Sequence, residues 1–186
     1  MGLVNLPLVP EIIVHNRTTL ELYHRLLGAL PGLSVLRPDV ATAAAAECNA
    51  SYVVVEVDAT LTGGLTRDDL VGLLVAENYS ARRYFFPGCH RMEPYASDPR
   101  LAAVAATLPV TLVLCERVMC LPTGLNVTAQ HVEAFAAFLS FVLHNAAEVK
   151  TLIGSLAYPL PPSLGPGMLP SPARPPASAS RSSKVV

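Results

Sequence analysis

The sequence predicts an α+β domain, a small sheet, antiparallel or mixed, with helices packed on it. Three observations point there. Residues 51–58, reading SYVVVEVD, form a β-branched, nearly continuous apolar run that reads as a strand. Apolar residues recur at helical spacing across 10–30 and again across 129–143. The elements run helix, strand, helix, strand, helices, strand, helix, with no internal repeat.

Taken in order, the first helix spans about Pro10 to Leu30. Ile12, Ile13, Leu20, Leu22, Tyr23, Leu26, Leu27 and Leu30 form its apolar face, and Pro31-Gly32 stops it. The opening MGLVNL has helical character but meets Pro7 and Pro10. Leu33 to Leu36 is extended, and Asp39 to Ala50 is alanine-rich and weakly patterned. After the strand, Thr62-Gly63-Gly64 turns the chain. Thr66 with Asp69 three residues on matches a helix N-cap, so a helix follows over Arg67 to Glu77 with Leu70, Val71, Leu73 and Leu74 inward. Arg82 to Phe86 reads as a short strand ending at Pro87-Gly88, and Pro94, Asp98 and Pro99 make a loop. Short helices are expected over Arg100 to Thr107 and Val110 to Glu116. Val118 to Leu121 is a strand closed by Pro122-Thr123-Gly124. Thr128 caps the last helix, Ala129 to Leu143, which buries Val132, Phe135, Ala136, Leu139 and Val142. From Tyr158 the chain is rich in Pro, Ser, Ala and Gly; it cannot bury enough apolar surface to offset its ordering entropy, and disorder is expected.

Bulk properties narrow the function. The 186 residues suffice for one ordinary domain with a tail, and 52% hydrophobic content marks a folded protein. A net charge of −1 lacks the basic face that nucleic acid or an anionic membrane would require. The longest apolar run, Leu101 to Cys115, is broken by Pro109 and falls short of the roughly 20 residues of a membrane span. Cys48, Cys89, Cys115 and Cys120 form no CxxC pair. With no signal peptide in view, free thiols and a cytoplasmic location are expected. No His, Asp and Glu cluster has metal-ligand spacing, and no phosphate-cradling glycine motif is present. His15, His24, His131 and His144 read as solvated helix residues.

The chemistry concentrates in residues 81–95, ARRYFFPGCHRMEPY. A turn at Pro87-Gly88 would present His90 on a loop anchored by the preceding strand. Tyr84, His90, Arg91 and Tyr95 stand out in this stretch. A plainer reading also fits: Tyr84, Phe85 and Phe86 alternate between core and surface, and Arg82 and Arg83 pair with acids such as Glu77. A Cys89-His90 thiol–base dyad is disfavoured, because adjacent residues point apart.

Four segments together resemble the C-terminal part of the DegT/DnrJ/EryC1/StrS aminotransferases, pyridoxal-phosphate enzymes that aminate nucleotide-linked keto sugars. They are Met1 to Arg17 with Tyr23 and Leu30-Pro31-Gly32; Asn49 to Asp58; Thr66 to Asn78 followed by Ala81 to Tyr95; and Leu108 to Gly124 with the helix after it. The likeness covers about residues 1 to 145. It implies a connecting helix over 1–32, a small α+β domain over 33–145 like the C-terminal domain of a fold-type I aminotransferase, a linker over 146–157 and a disordered tail over 158–186. It further implies a homodimer in the full-length enzyme, a nucleotide-linked keto sugar and an amino donor as substrates, and pyridoxal phosphate as cofactor. It also implies that the segment 81–95 lies near where the sugar nucleotide enters, which makes Tyr84, His90, Arg91 and Tyr95 the candidate substrate-binding residues: imidazole and phenol groups can bond sugar hydroxyls, and arginine can pair with a diphosphate. In such enzymes the large domain carries the Schiff-base lysine, the aspartate on the pyridinium nitrogen and the phosphate-binding segment, all of which would lie upstream of Met1. The lysines here are Lys150 and Lys184, neither in a matching context, so no catalytic residue and no cofactor binding are expected of this chain alone. A non-catalytic remnant, or a module that pairs with a separately encoded large domain, is the alternative.

Overall fold

The computed structural model describes residues 3, 6–37, 48–84, 86–100 and 107–155. Three strands, β1 (Leu33–Leu36), β2 (Tyr52–Val57) and β3 (Val118–Pro122), form an antiparallel sheet in the order β1-β2-β3. The sheet is thus antiparallel, the first of the two arrangements the sequence allowed. Leu33 lies opposite Val57, and Tyr52 opposite Pro122. Around the sheet pack α1 (Val9–Leu27), α2 (Arg67–Ala76), α3 (Pro109–Arg117), α4 (Ala129–His144) and α5 (Ala146–Ser155).

Alternation along β2 assigns the sheet's two faces. Val53, Val55 and Val57 are buried within one apolar cluster, joined by Met119 and Leu121 of β3. Leu20, Tyr23 and Leu27 of α1, Leu70, Val71 and Leu74 of α2, and Val132, Phe135 and Leu139 of α4 complete it. Tyr23 and Tyr79 both meet the Phe135 ring edge-on, at 5.7 and 5.2 Å between centroids, a favoured aromatic geometry. Burial, with Tyr79 nearby, pushes the Tyr23 phenol well above its ordinary range. The five α4 residues read as inward are all buried.

Helix boundaries follow local chemistry. The Thr66 hydroxyl accepts from the Asp69 amide while the Asp69 carboxylate accepts from the Thr66 amide, closing a capping box at α2. Thr128 and His131 do the same for α4, with His131 Nδ1 as the acceptor. A 3-10 turn, Leu6–Leu8, precedes α1.

Several expectations are corrected. α1 ends at Leu27, short of Leu30, because the chain tightens into a Leu30-to-Leu27 turn ahead of Pro31, whose ring disfavours helix in the residue before it. The segment 146–157, read as linker, carries α5. It turns 85° from α4, seats Ala146 where a side chain on Gly63 would stand, and ties Lys150 to Asp69 at 2.6 Å. His15 is not a solvated residue: its Nε2 donates to the carbonyls of Gly124 and Val127 at 3.0 and 3.1 Å, pinning α1 to the loop after β3. The helix expected over 100–107 and the tail from Tyr158 lie largely or wholly outside the described residues. Among the described residues no single helix is long and apolar enough to cross a membrane.

Candidate functional site

The second face of the sheet carries Tyr52, Val54 and Glu56 of β2 with Val118 and Cys120 of β3, and its surroundings are polar. The segment after Ala81 reaches it here, though not as the strand predicted over Arg82 to Phe86. Arg82 alone pairs with the sheet, exchanging both backbone bonds with Cys120 at 3.0 and 2.8 Å. Beyond it the chain leaves the ladder in consecutive turns: Phe86 N to Arg83 O, Arg91 N to Gly88 O, Tyr95 N to Met92 O. The physical reason lies in the side chains and in Pro87. Proline has no N–H to continue a ladder. The aromatic rings stack on guanidinium groups: Arg82 lies 5.7 Å from the Tyr84 ring, and Arg67 and Arg83 lie 5.3 and 5.0 Å from the Phe86 ring.

Arg67 organises this region from below. It is 2% exposed, donates from Nε to Asp68 at 2.7 Å and from Nη1 to the Val118 carbonyl at 2.6 Å, and its Nη2 has no partner among the described residues. Burial pulls its pKa down, and the Asp68 carboxylate opposes that. Asp68 also receives Arg83 at 3.4 Å.

Gly88 adopts φ +96°, and a β-carbon there would stand 2.6 Å from the His90 ring and 3.2 Å from Cys115 Sγ. The His90 imidazole is therefore folded back over Gly88 beside a buried thiol. His90 Nε2 is buried without a partner among the described residues. Arg91 and Tyr95 stand exposed on the turns beyond.

Of the four sequence candidates, Tyr84 lines a cleft. That cleft, of about 340 Å³, opens where β2 begins and β3 ends, between Ser51, Tyr52, Arg82, Tyr84, Cys120 and Thr123. The Tyr52 and Tyr84 rings lie 5.7 Å apart at 46°, and Arg82 Nη1 donates to the Tyr84 hydroxyl at 2.8 Å. The buried Thr123 hydroxyl bonds the Ala50 carbonyl at 2.8 Å and holds the rim. Burial pushes the Cys120 thiol up to about 11, so it stays neutral. Sequence reasoning missed Tyr52 and Arg82. The signal for them was the pairing of β2 with the LPTG turn, which only the register reveals.

The residues that line the cleft do not fit a covalent pyridoxal phosphate site: among the described residues no lysine lines it. Lys150 Nζ is held by the Asp69 carboxylate and is not one of the residues lining the cleft. Lys184 lies outside the described residues. Among the described residues no group of three or more His, Cys, Asp or Glu side chains could hold a metal ion.

A three-stranded antiparallel sheet with one apolar face buried by helices, and one face bearing an arginine–tyrosine cleft, defines an α+β domain. Comparison with known proteins places it. The sequence model of the DegT/DnrJ/EryC1/StrS aminotransferase family matches residues 1–140, and the chain belongs to that family. It is similar to the Escherichia coli dTDP-4-amino-4,6-dideoxy-D-glucose transaminase, 29% identical over 127 residues, or 67% of this chain and 32% of that enzyme. Among solved structures it is similar to DesI in the presence of its TDP-sugar product, with 34% identity, a TM-score of 0.69, and 82% of this chain and 36% of that one covered. The PLP form of the putative sugar aminotransferase Spr1654 from Streptococcus pneumoniae shares the fold at 12% identity, TM-score 0.57, over 77% of this chain and 34% of that one. The chain thus spans about a third of the length of these relatives.

Proposed function

We propose that this chain forms the C-terminal part of a pyridoxal-phosphate-dependent aminotransferase that acts on nucleotide-linked keto sugars, with glutamate or glutamine as amino donor. The observation that carries the reading is the likeness, across four-fifths of the chain, to an enzyme whose structure was determined with a TDP-sugar product. In this reading the cofactor supplies the amine-transfer chemistry from a site whose lysine this chain does not provide. This chain's share is to face the substrate through the segment Tyr84 to Tyr95. Tyr84 offers a hydroxyl and a ring, His90 an imidazole, and Arg91 and Tyr95 an exposed cation and phenol at the rim. The assembled enzyme is a cytoplasmic homodimer.

The test is turnover of a dTDP-linked 4-keto sugar with glutamate, followed by chromatography of the amino-sugar product. The purified chain alone is expected to give none. The chain combined with the lysine-bearing portion of a family member is expected to restore pyridoxal-phosphate-dependent product. Turnover by the 186-residue chain alone would overturn the reading.

A further inference from the structure

We propose that the cleft between Tyr52, Arg82 and Tyr84 docks this chain's own proline-rich segment, residues 159–172, so that the C-terminal stretch caps the polar face of the sheet. Such docking is independent of the aminotransferase chemistry.

The chemistry of the segment matches the walls of the cleft. Residues 159–172 read PLPPSLGPGMLPSP and carry no charge. Proline fixes φ and has no N–H, and proline-rich chain favours an extended helix with no internal hydrogen bonds. A surface that recognises it therefore needs flat aromatic rings for the pyrrolidines and donors for the bare carbonyls. Tyr52 is 41% exposed, and its ring lies 5.7 Å from that of Tyr84 at 46°, so the pair makes an angled aromatic floor. Pro122 adds an apolar edge.

The donors are pre-organised. The Arg82 backbone is fixed by two bonds to Cys120, and its side chain is fixed by one bond from Nη1 to the Tyr84 hydroxyl and by stacking on that ring. A guanidinium carries five N–H groups in a planar fork, and the others can serve carbonyl oxygens. Ser51 and Ser80 line the same space and offer hydroxyls.

Reach permits the contact, and the other hollows suit the segment less well. α5 ends at Ser155, just ahead of the segment. At 3.1 Å per residue in the extended helix, residues 156–172 reach about 50 Å, beyond the breadth of a domain whose radius of gyration is about 15 Å. A short flexible tether holds its ligand at an effective concentration on the order of millimolar, so modest contacts suffice. The hollow between α1 and α4 presents Glu21, His24, Arg25 and Glu133, charged and titratable groups that an uncharged segment cannot pair. The hollow on α5, lined by Ala147, Glu148, Thr151 and Leu152, has no ring in its wall.

The experiment is amide NMR on the full 186-residue chain, set beside a variant that carries Pro161→Ala, Pro162→Ala, Pro170→Ala and Pro172→Ala, and beside Tyr52→Ala once circular dichroism confirms its fold. The four proline changes lie beyond α5 and spare every core residue. We expect the proline variant to shift the amides of Ser51, Tyr52, Arg82 and Gly124, and Tyr52→Ala to shift those of Leu160, Ser163 and Leu164. A synthetic peptide of residues 159–172, added to the proline variant at millimolar concentration, should return the cleft amides to the parent positions. Tyr52→Ala in the same background should weaken that peptide by about tenfold, the loss of one aromatic contact. Identical cleft amides in the parent and the proline variant overturn the proposal. So do shifts centred on Glu21 and Glu133 or on Thr151 and Leu152, and so does a peptide that restores nothing or binds the Tyr52→Ala chain undiminished. Cleft shifts that fade on dilution would seat the tail of a second copy there and overturn docking within one chain.

Discussion

The two faces of one small sheet are built on opposite principles. Val53, Val55 and Val57 point into a cluster where they are at most 2% exposed, closed by aromatic and aliphatic side chains of α1, α2 and α4. One residue out of phase, Tyr52, Val54 and Glu56 face arginines, tyrosines and a thiol. The first face stabilises by removing apolar area from water, which needs no orientation. The second is held by directional pairs, Arg67 to Val118 O, Arg82 to Tyr84, Arg83 to Asp68, and it leaves Arg67 Nη2 and His90 Nε2 without partners among the described residues. Unsatisfied buried donors cost stability. A fold that carries them on one face must recover that cost on the other; Leu121, buried in the core cluster and lining the cleft, is where the two meet.

The comparison can be broken most sharply at Phe135 and Tyr52. Phe135→Ala removes a 2%-exposed ring with two edge-on partners, and should cost about 3–5 kcal/mol in urea unfolding. Tyr52→Ala, on the opposite face, should cost less than about 1 kcal/mol. Equal losses would dissolve the distinction between the faces. Gly88→Ala probes the seam between them. Its β-carbon would enter the His90 ring and crowd Cys115 at a φ that L-residues avoid, so about 1–3 kcal/mol should be lost in thermal unfolding. A displaced His90 ring resonance should accompany that loss. A smaller effect is expected at Thr66→Ala, where losing the α2 cap costs about 1 kcal/mol, checked by denaturant midpoint.

The smallest effect carries a pH signature. Burial raises the Asp69 carboxyl, but Lys150 and the Thr66 donors outweigh it and hold it below the ordinary 3.8. A carboxyl with a lowered folded pKa contributes stability above its unfolded pKa and loses it as pH falls through the folded value. Lys150→Ala should therefore cost about 0.5–1 kcal/mol at neutral pH, and its difference from the parent should shrink below pH 3.8. A difference that persists in acid would mean that α5 is held by Ala146, Val149 and Ile153 instead.

Local signals in the sequence carried much of this architecture. SYVVVEVD needed only β-branched residues to announce β2, Thr66 and Asp69 announced the cap of α2, and period alone identified the five inward residues of α4. What period cannot carry is contact between distant residues. The pairing of Arg82 with Cys120, the reach of His15 to Gly124 and Val127, and the meeting of Tyr52 with Tyr84 span 32 to 112 positions. These contacts decide where the cleft lies, so the aromatic and cationic richness of 81–95 was visible while Tyr52 and Arg82 were not. α5 escaped for a different reason: its ten residues are short, and what docks it is a glycine gap at Gly63 and one ion pair, neither a local pattern.

The most direct test of the central claim, that this chain faces the substrate while the cofactor's lysine lies elsewhere, is borohydride reduction of the purified chain with pyridoxal phosphate, followed by mass mapping. Lys150 is engaged by Asp69 and does not line the cleft, so the account predicts no saturable aldimine absorbance and no preferred modified site. A stoichiometric adduct at Lys150 or Lys184 would contradict it, because the chain would then hold the cofactor by itself.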